Sequence, residues 1–193
     1  MLFLRLFGWR VDGALPAASK AVVIAAPHTS NWDLPFMLAV SFALGVRPAW
    51  LGKREIFRWP FAGLMRRLGG LPIDRRSRQN VVQQVVAMID GAERLYVVIP
   101  PSATRSRGPH WKSGFYHIAR GAAVPVICTF LDYRRKVGGI GPVFVPSGDL
   151  RADMDVVRAF YATVTGKYPA CETPVRLVEE EDAAGRVRDS ATG

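Results

Sequence analysis

His28 and Asp33 stand five positions apart in the string PHTSNWD, directly after the apolar run KAVVIAAP. A histidine beside a carboxylate is the pairing that fixes an imidazole tautomer and raises its basicity, as a general base requires. On a straight helix of about 3.6 residues per turn, five positions rotate two side chains roughly 140° apart, so the pair meets only if loop bends into helix between them. Ser30 and Asn31, both good capping residues, supply such a bend. The same residues also admit a plainer reading, a surface histidine next to an aspartate that caps a helix.

Two later loops carry further candidates. GGLPIDRR places Gly70 at a turn and Arg75 and Arg76 just past a short strand. The guanidinium fork binds phosphate bidentately, so this loop is suited to an anionic head group. VIPPSATRSR puts Thr104 and Arg105 after another strand, with Lys112 and Gly114 following in WKSG. Ser102 lies in PPSAT and not in G-x-S-x-G, so no nucleophile elbow is present.

These loops need strands and helices to hold them. KAVVIAAP, RPAWLG, LPID, RLYVVIP, AVPVICTFLDY and GPVFVPSG read as strands, the last following a glycine turn at Gly138 and Gly139. DLPFMLAVSFALG, FRWPFAGLMRRLGG, SRQNVVQQVVAMIDGAE and KSGFYHIARGA read as helices, with Pro35 tolerable in a first turn. In the third of these, Val81, Val82, Val85, Val86 and Ile89 recur at helical spacing. Alternating strands and helices predict an α/β fold: a single domain with a mostly parallel central sheet flanked by helices. In such folds active residues gather in the loops after the strands.

The chain has 193 residues, 49% hydrophobic and 22% charged, which suits one globular domain and excludes a disordered chain. Residues 1–20 read as an amphipathic N-terminal segment, 21–178 as the domain and 179–193 as a disordered tail. The net charge is +10, and the tail sets five acidic residues against two arginines, leaving about +13 on the body. That charge points to an anionic partner. Two cysteines, Cys128 and Cys171, are too few for a disulfide framework or a metal cluster and suit a reducing compartment. The longest apolar runs, LPFMLAVSFALGV and MLFLRLF, fall short of the roughly 20 residues of a membrane span. Arg5 interrupts the second, which does not read as a signal peptide.

In order, His28-x4-Asp33, Gly70-x4-Arg75, Pro101-x-x-Thr104-Arg105 and Val124-Pro125-Val126 resemble the four sequence blocks of the glycerolipid acyltransferase superfamily, best known from its lysophosphatidate (1-acyl-sn-glycerol-3-phosphate) acyltransferases. PHTSNWD resembles a bacterial subgroup carrying that string. The resemblance runs from Val22 to about Val145 and implies a glycerol-3-phosphate acyltransferase-like fold. It implies that His28 takes the proton from an acceptor hydroxyl and that Asp33 orients it. The hydroxyl then attacks the thioester of acyl-CoA or acyl carrier protein, with no acyl-enzyme intermediate. Gly70, Arg75, Ser102, Ala103, Thr104 and Arg105 fall on the acceptor side, with Lys112 near them. No metal or cofactor is implied beyond the acyl donor.

One departure stands out. The family usually has Pro-Glu-Gly-Thr-Arg where this chain has Pro101, Ser102, Ala103, Thr104, Arg105. A carboxylate is replaced by a hydroxyl, and a glycine free to adopt positive φ by an alanine that resists it. This implies weakened turnover on a glycerophosphate acceptor and an altered loop backbone. It opens a second reading, an activity-impaired or non-catalytic lipid- or acyl-carrier-binding homologue. MLFLRLFGWR and REIFRWPF mix Trp and Phe with Arg, as interfacial segments do, which suits a cytoplasmic protein held peripherally on the anionic inner membrane face. Phe57, Trp59 and Phe61 also admit a reading as packed core. Nucleic acid is not an expected partner, because no reader motif is present and the arginines sit at strand ends.

Overall fold

The computed structural model describes residues 2–74 and 78–180. Its elements in chain order are α1 (Leu2–Leu6), β1 (Arg10–Asp12), β2 (Lys20–Ala26), α2 (Asp33–Ala43), β3 (Pro48–Lys53), α3 (Ala62–Arg67), β4 (Gly70–Ile73), α4 (Arg78–Asp90), β5 (Leu95–Ile99), α5 (Gly114–Gly121), β6 (Val126–Asp132), β7 (Val137–Phe144) and α6 (Leu150–Tyr161). The strands form one sheet in the order β1-β7-β6-β2-β5-β3-β4, parallel at every pairing except the antiparallel β6 and β7. The α/β reading therefore holds, and the sheet is mostly parallel.

Strand β2 lies between β6 and β5 and is buried on both faces, which is why its sequence is a continuous apolar run. Val22 and Ile24 pack against Val85 and Ile89 of α4, Phe115 and Ile118 of α5 and Met154 and Val157 of α6. Ala21 and Val23 face the other side, where Met37 of α2 covers them. Several of these side chains are fully buried, each worth about 1.5–3 kcal/mol relative to exposure. From β2 the chain crosses over β5 to β3, whereas from β5 it crosses back over β2 to β6. The connections diverge at the carboxyl ends of β2 and β5, where open α/β sheets leave a crevice.

Several expectations need correction. The segment FRWPFAGLMRRLGG is not one helix: a 3₁₀ turn spans Arg54–Phe57 and α3 begins at Ala62, because Pro60 cannot sit in a helix interior. Gly138 and Gly139 lie inside β7, and the turn is Tyr133 to Lys136. Close packing requires both glycines: a Cβ on Gly139 would fall 1.8 Å from the Asp12 carbonyl oxygen of edge strand β1, and one on Gly138 would lie 2.8 Å from Leu131 of β6 and 2.9 Å from Val40 of α2. The N-terminal segment is not separate from the domain. It supplies β1, and Leu4 and Trp9 are buried against Phe36, Val40 and Leu131. At the other end, Glu179 and Glu180 belong to the folded body. Arg158 on α6 donates to Glu180 Oε1 at 3.0 Å, and Leu177 N donates to its other oxygen at 2.7 Å. The remainder of the expected tail lies outside the described residues.

Candidate active site

The loop leaving β2 turns sharply into α2, and Asp33 opens that helix. Ser30 Oγ accepts from Trp32 N at 3.1 Å and so closes the turn, but the N-cap of α2 is Trp32 with no side-chain cap, so neither Ser30 nor the exposed Asn31 caps the helix as expected. The bend brings His28 Nδ1 to 3.1 Å from Asp33 Oδ2. The same oxygen accepts from Thr29 N at 2.8 Å and Ser30 N at 2.9 Å, and Oδ1 accepts from the Tyr133 hydroxyl at 2.8 Å. Asp33 is only 5% exposed. Burial pushes its pKa up, but hydrogen bonds from His28, Ser30, Tyr133 and Thr29 outweigh that and hold it below the ordinary carboxylate value. An ionised carboxylate only accepts, so His28 Nδ1 carries a proton and donates it to Asp33. Nε2 of the neutral ring is then the free basic nitrogen.

His28 and Asp33 lie on the wall of a cavity of about 2140 Å³ at the carboxyl ends of the central strands. Val23, Met37, Leu38, Val98 and Ile127 give it apolar walls, and the exposed Leu34, Phe42 and Leu68 stand along it. Arg47, Arg66, Arg67, Arg105 and Lys112 add positive charge. Among the described residues no group of three or more His, Cys, Asp and Glu could hold a metal ion. Cys128 is unsuited as a nucleophile, since burial pushes its thiol up to about 12.

The remaining sequence candidates fall in different places. Ala103 and Arg105 line the cavity with Lys112, so the loop after β5 reaches the same space as His28. Ser102 does not line it. It borders a small recess of about 30 Å³ shared with His28, Trp111 and Glu172, and its hydroxyl donates to the Thr104 carbonyl at 2.8 Å. Thr104 is exposed, with Oγ1 accepting from Ser106 N at 3.2 Å. Ala103 does adopt positive φ, at 57°, contrary to the expectation that alanine would resist it. Its side chain is exposed, so no neighbour opposes the Cβ, and Ala103 N closes the turn on the Pro100 carbonyl at 3.0 Å. Gly70 is not the turn residue. Gly69 takes positive φ there, and Gly70 is a buried β4 residue whose Cβ would meet the Met65 carbonyl oxygen at 2.7 Å. Arg75 lies outside the described residues.

Three features escaped the sequence reading. Tyr133 sits at the carboxyl end of β6, the kind of place where site residues gather, so its position was the available signal. Glu179, read as tail, lines the cavity and accepts from Ser113 Oγ at 2.5 Å. Burial pushes its pKa up, but the Ser113 hydrogen bond and the nearby His117 and His110 bring it below the ordinary value. His110 and His117 themselves line the cavity.

The sequence model of the family described as Acyltransferase matches residues 10–131. A 1-acyl-sn-glycerol-3-phosphate acyltransferase of Haemophilus influenzae is 29% identical over 132 residues, covering 63% of this chain; the chain spans about half (53%) of that relative's length. The crystal structure of the 1-acyl-sn-glycerophosphate acyltransferase PlsC from Thermotoga maritima superposes with a TM-score of 0.54 over 81% of this chain and 73% of that one, at 19% identity, a likeness of fold.

Proposed function

This chain belongs to the acyltransferase family, and from that premise we propose that it moves a fatty acyl chain from the thioester of acyl-CoA or acyl carrier protein to a hydroxyl of a lysophospholipid or related acceptor. The observation that carries this reading is the His28–Asp33 contact on the wall of an apolar cavity large enough for an acyl chain. His28 Nε2 takes the acceptor proton as the hydroxyl oxygen attacks the thioester carbonyl carbon. Collapse of the tetrahedral adduct breaks the C–S bond, and the imidazolium returns its proton to the departing thiolate. Asp33 stabilises the imidazolium and, held by two backbone N–H groups, does not compete for the proton. Arg105 and Lys112 offer charge to the acceptor head group. A thioester-release assay with lysophosphatidate and acyl-CoA or acyl carrier protein tests the reading. Release that depends on the acceptor and falls at least about a hundredfold in His28→Ala is expected; equal rates from both proteins refute the reading for that substrate pair.

Exposure of Trp59 (91%) and Phe61 (61%), just ahead of α3 with its Arg66 and Arg67, and of Phe42 (69%) on α2 supports peripheral attachment to the anionic inner face of a membrane. No helix among the described residues is long and apolar enough to cross one. The second reading, an impaired or non-catalytic homologue, is favoured by Ser102, whose hydroxyl is turned onto its own loop where the family usually has a carboxylate. The double substitution Ser102→Glu with Ala103→Gly separates the two. Raised turnover on a glycerophosphate acceptor is expected, and no change shows that activity is not set in this loop.

A further inference from the structure

Asp33 is held from two directions. Its Oδ2 is taken up by the local turn and His28, whereas Oδ1 accepts from the hydroxyl of a residue one hundred positions away. We propose that Tyr133 is a positioning residue for the His28–Asp33 pair: by donating to Oδ1 it fixes the carboxylate so that Oδ2 stays on His28 Nδ1 and Nε2 stays free for the acceptor hydroxyl. This rests on the reading of His28 as the base. Tyr133 lies beyond the stretch matched by the family model, which ends at residue 131.

The surroundings of Tyr133 leave its hydroxyl little freedom. Its ring meets Trp9 edge-on at 5.0 Å and Phe36 at 5.9 Å, and its backbone N–H donates to the Thr165 carbonyl at 2.9 Å. Lys167 Nζ lies 5.7 Å from the ring centroid on one side and 5.1 Å from that of Trp32 on the other. The loop carrying Lys167 is tied back to the catalytic turn, since Tyr168 N donates to Thr29 Oγ1 at 3.2 Å. Burial first, then the bond to Asp33, push the Tyr133 pKa up, so the hydroxyl remains a donor wherever an acyltransferase works. Contacts from Trp9, Phe36 and the loop of Thr165 and Lys167 thus hold the Tyr133 ring, and its hydroxyl alone carries that placement to Asp33 Oδ1.

A hydroxyl donated to Oδ1 draws carboxylate charge away from Oδ2. Removing it strengthens the pull of Asp33 on the His28 imidazolium while loosening its geometry. Tyr133→Phe keeps the ring and its packing, along with Lys167, Tyr168, Glu172 and the Asp132–Arg135 pair nearby. The expected result is kcat reduced about tenfold with KM unchanged, and the acid limb of the kcat/KM profile moved to higher pH. A purely structural tyrosine gives a lower melting temperature with an unmoved profile, which overturns the proposal, as does an unchanged kcat. Tyr133→Leu, which has no donor and adds no bulk, serves as a second variant and should show the same loss of kcat. His28→Ala run alongside distinguishes the failures: activity retained there refutes the base itself, whereas activity lost there with Tyr133→Phe unchanged refutes only the positioning role.

Discussion

Replacing Asp33 by asparagine separates charge from geometry at the centre of the site. The Thr29 and Ser30 N–H groups both point at the Oδ2 position, so the asparagine must place its oxygen there, and His28 Nδ1–H keeps its acceptor. The amide nitrogen then faces Tyr133, whose hydroxyl can turn to accept. Every partner stays satisfied and the His28 tautomer is kept, but the negative charge is gone. Opposite charges about 4 Å apart are worth about 4 kcal/mol at an effective dielectric of about 20, a ceiling of about a thousandfold in rate. His28 is 26% exposed, and solvent screening brings the expected loss in kcat/KM to about a hundredfold. The acid limb should move to lower pH, opposite to Tyr133→Phe.

Asp33→Ala behaves differently. It leaves two N–H groups and the Tyr133 hydroxyl without an acceptor, at about 1–3 kcal/mol each, and the melting temperature should fall by roughly 10 °C or more. Asparagine should cost only a few degrees. Linkage gives a further signature: because the folded Asp33 pKa is lowered, its stabilisation is present above the unfolded value of about 4 and is lost as pH falls through the folded one. Asparagine removes that part of the acid sensitivity. Thermal melts at pH 3 to 7 and initial rates across pH test the set. Wild-type kcat/KM in Asp33→Asn, or an asparagine protein that melts like the alanine one, would refute the reasoning.

Three further outcomes are expected. Ala103→Gly relieves a left-handed alanine and should raise stability by up to about 1 kcal/mol, seen as a small rise in melting temperature; a fall contradicts the strain. Gly139→Ala drives a Cβ into the Asp12 carbonyl and should cost about 2 kcal/mol or more, with faster amide exchange in β1 and β7; unaltered exchange contradicts the close approach. Trp59→Glu with Phe61→Glu should reduce flotation with anionic liposomes at least about tenfold without lowering the melting temperature; equal flotation removes these residues from the membrane surface.

What the sequence made legible follows from whether the cause was local. Strand β2 and helix α4 could be read because burial on both faces, or on one stripe, writes itself into the spacing of Val22, Ile24, Val85 and Ile89. The His28–Asp33 contact could be read because the turn between the two residues, closed by Ser30 Oγ on Trp32 N, brings the side chains together locally, whereas the Tyr133 bond to Asp33 comes from far along the chain. β1 could not, since RVD is three residues long and owes its pairing to β7, far along the chain. Gly138 and Gly139 signalled a turn because glycine is the usual turn residue, whereas the cause is the close approach of β1 to Gly139 and of β6 and α2 to Gly138. Glu179 and Glu180 looked like solvated charge because their partners, Ser113 and Arg158, are set by the fold. Helix α6 did carry a local signal, Asp149 capping Arg151 N and Ala152 N ahead of Met154, Val157 and Tyr161.

The three-residue edge strand β1 follows immediately after Trp9, the ring that braces Tyr133. Edge elements this short open at a small fraction of the free energy of global unfolding. Each opening withdraws the brace while nearly the whole hydrogen-bonded sheet persists. Catalytic rate therefore acts as a gauge of the molecule's rim: on gentle heating or mild denaturant, turnover should decay ahead of the far-ultraviolet circular dichroism signal.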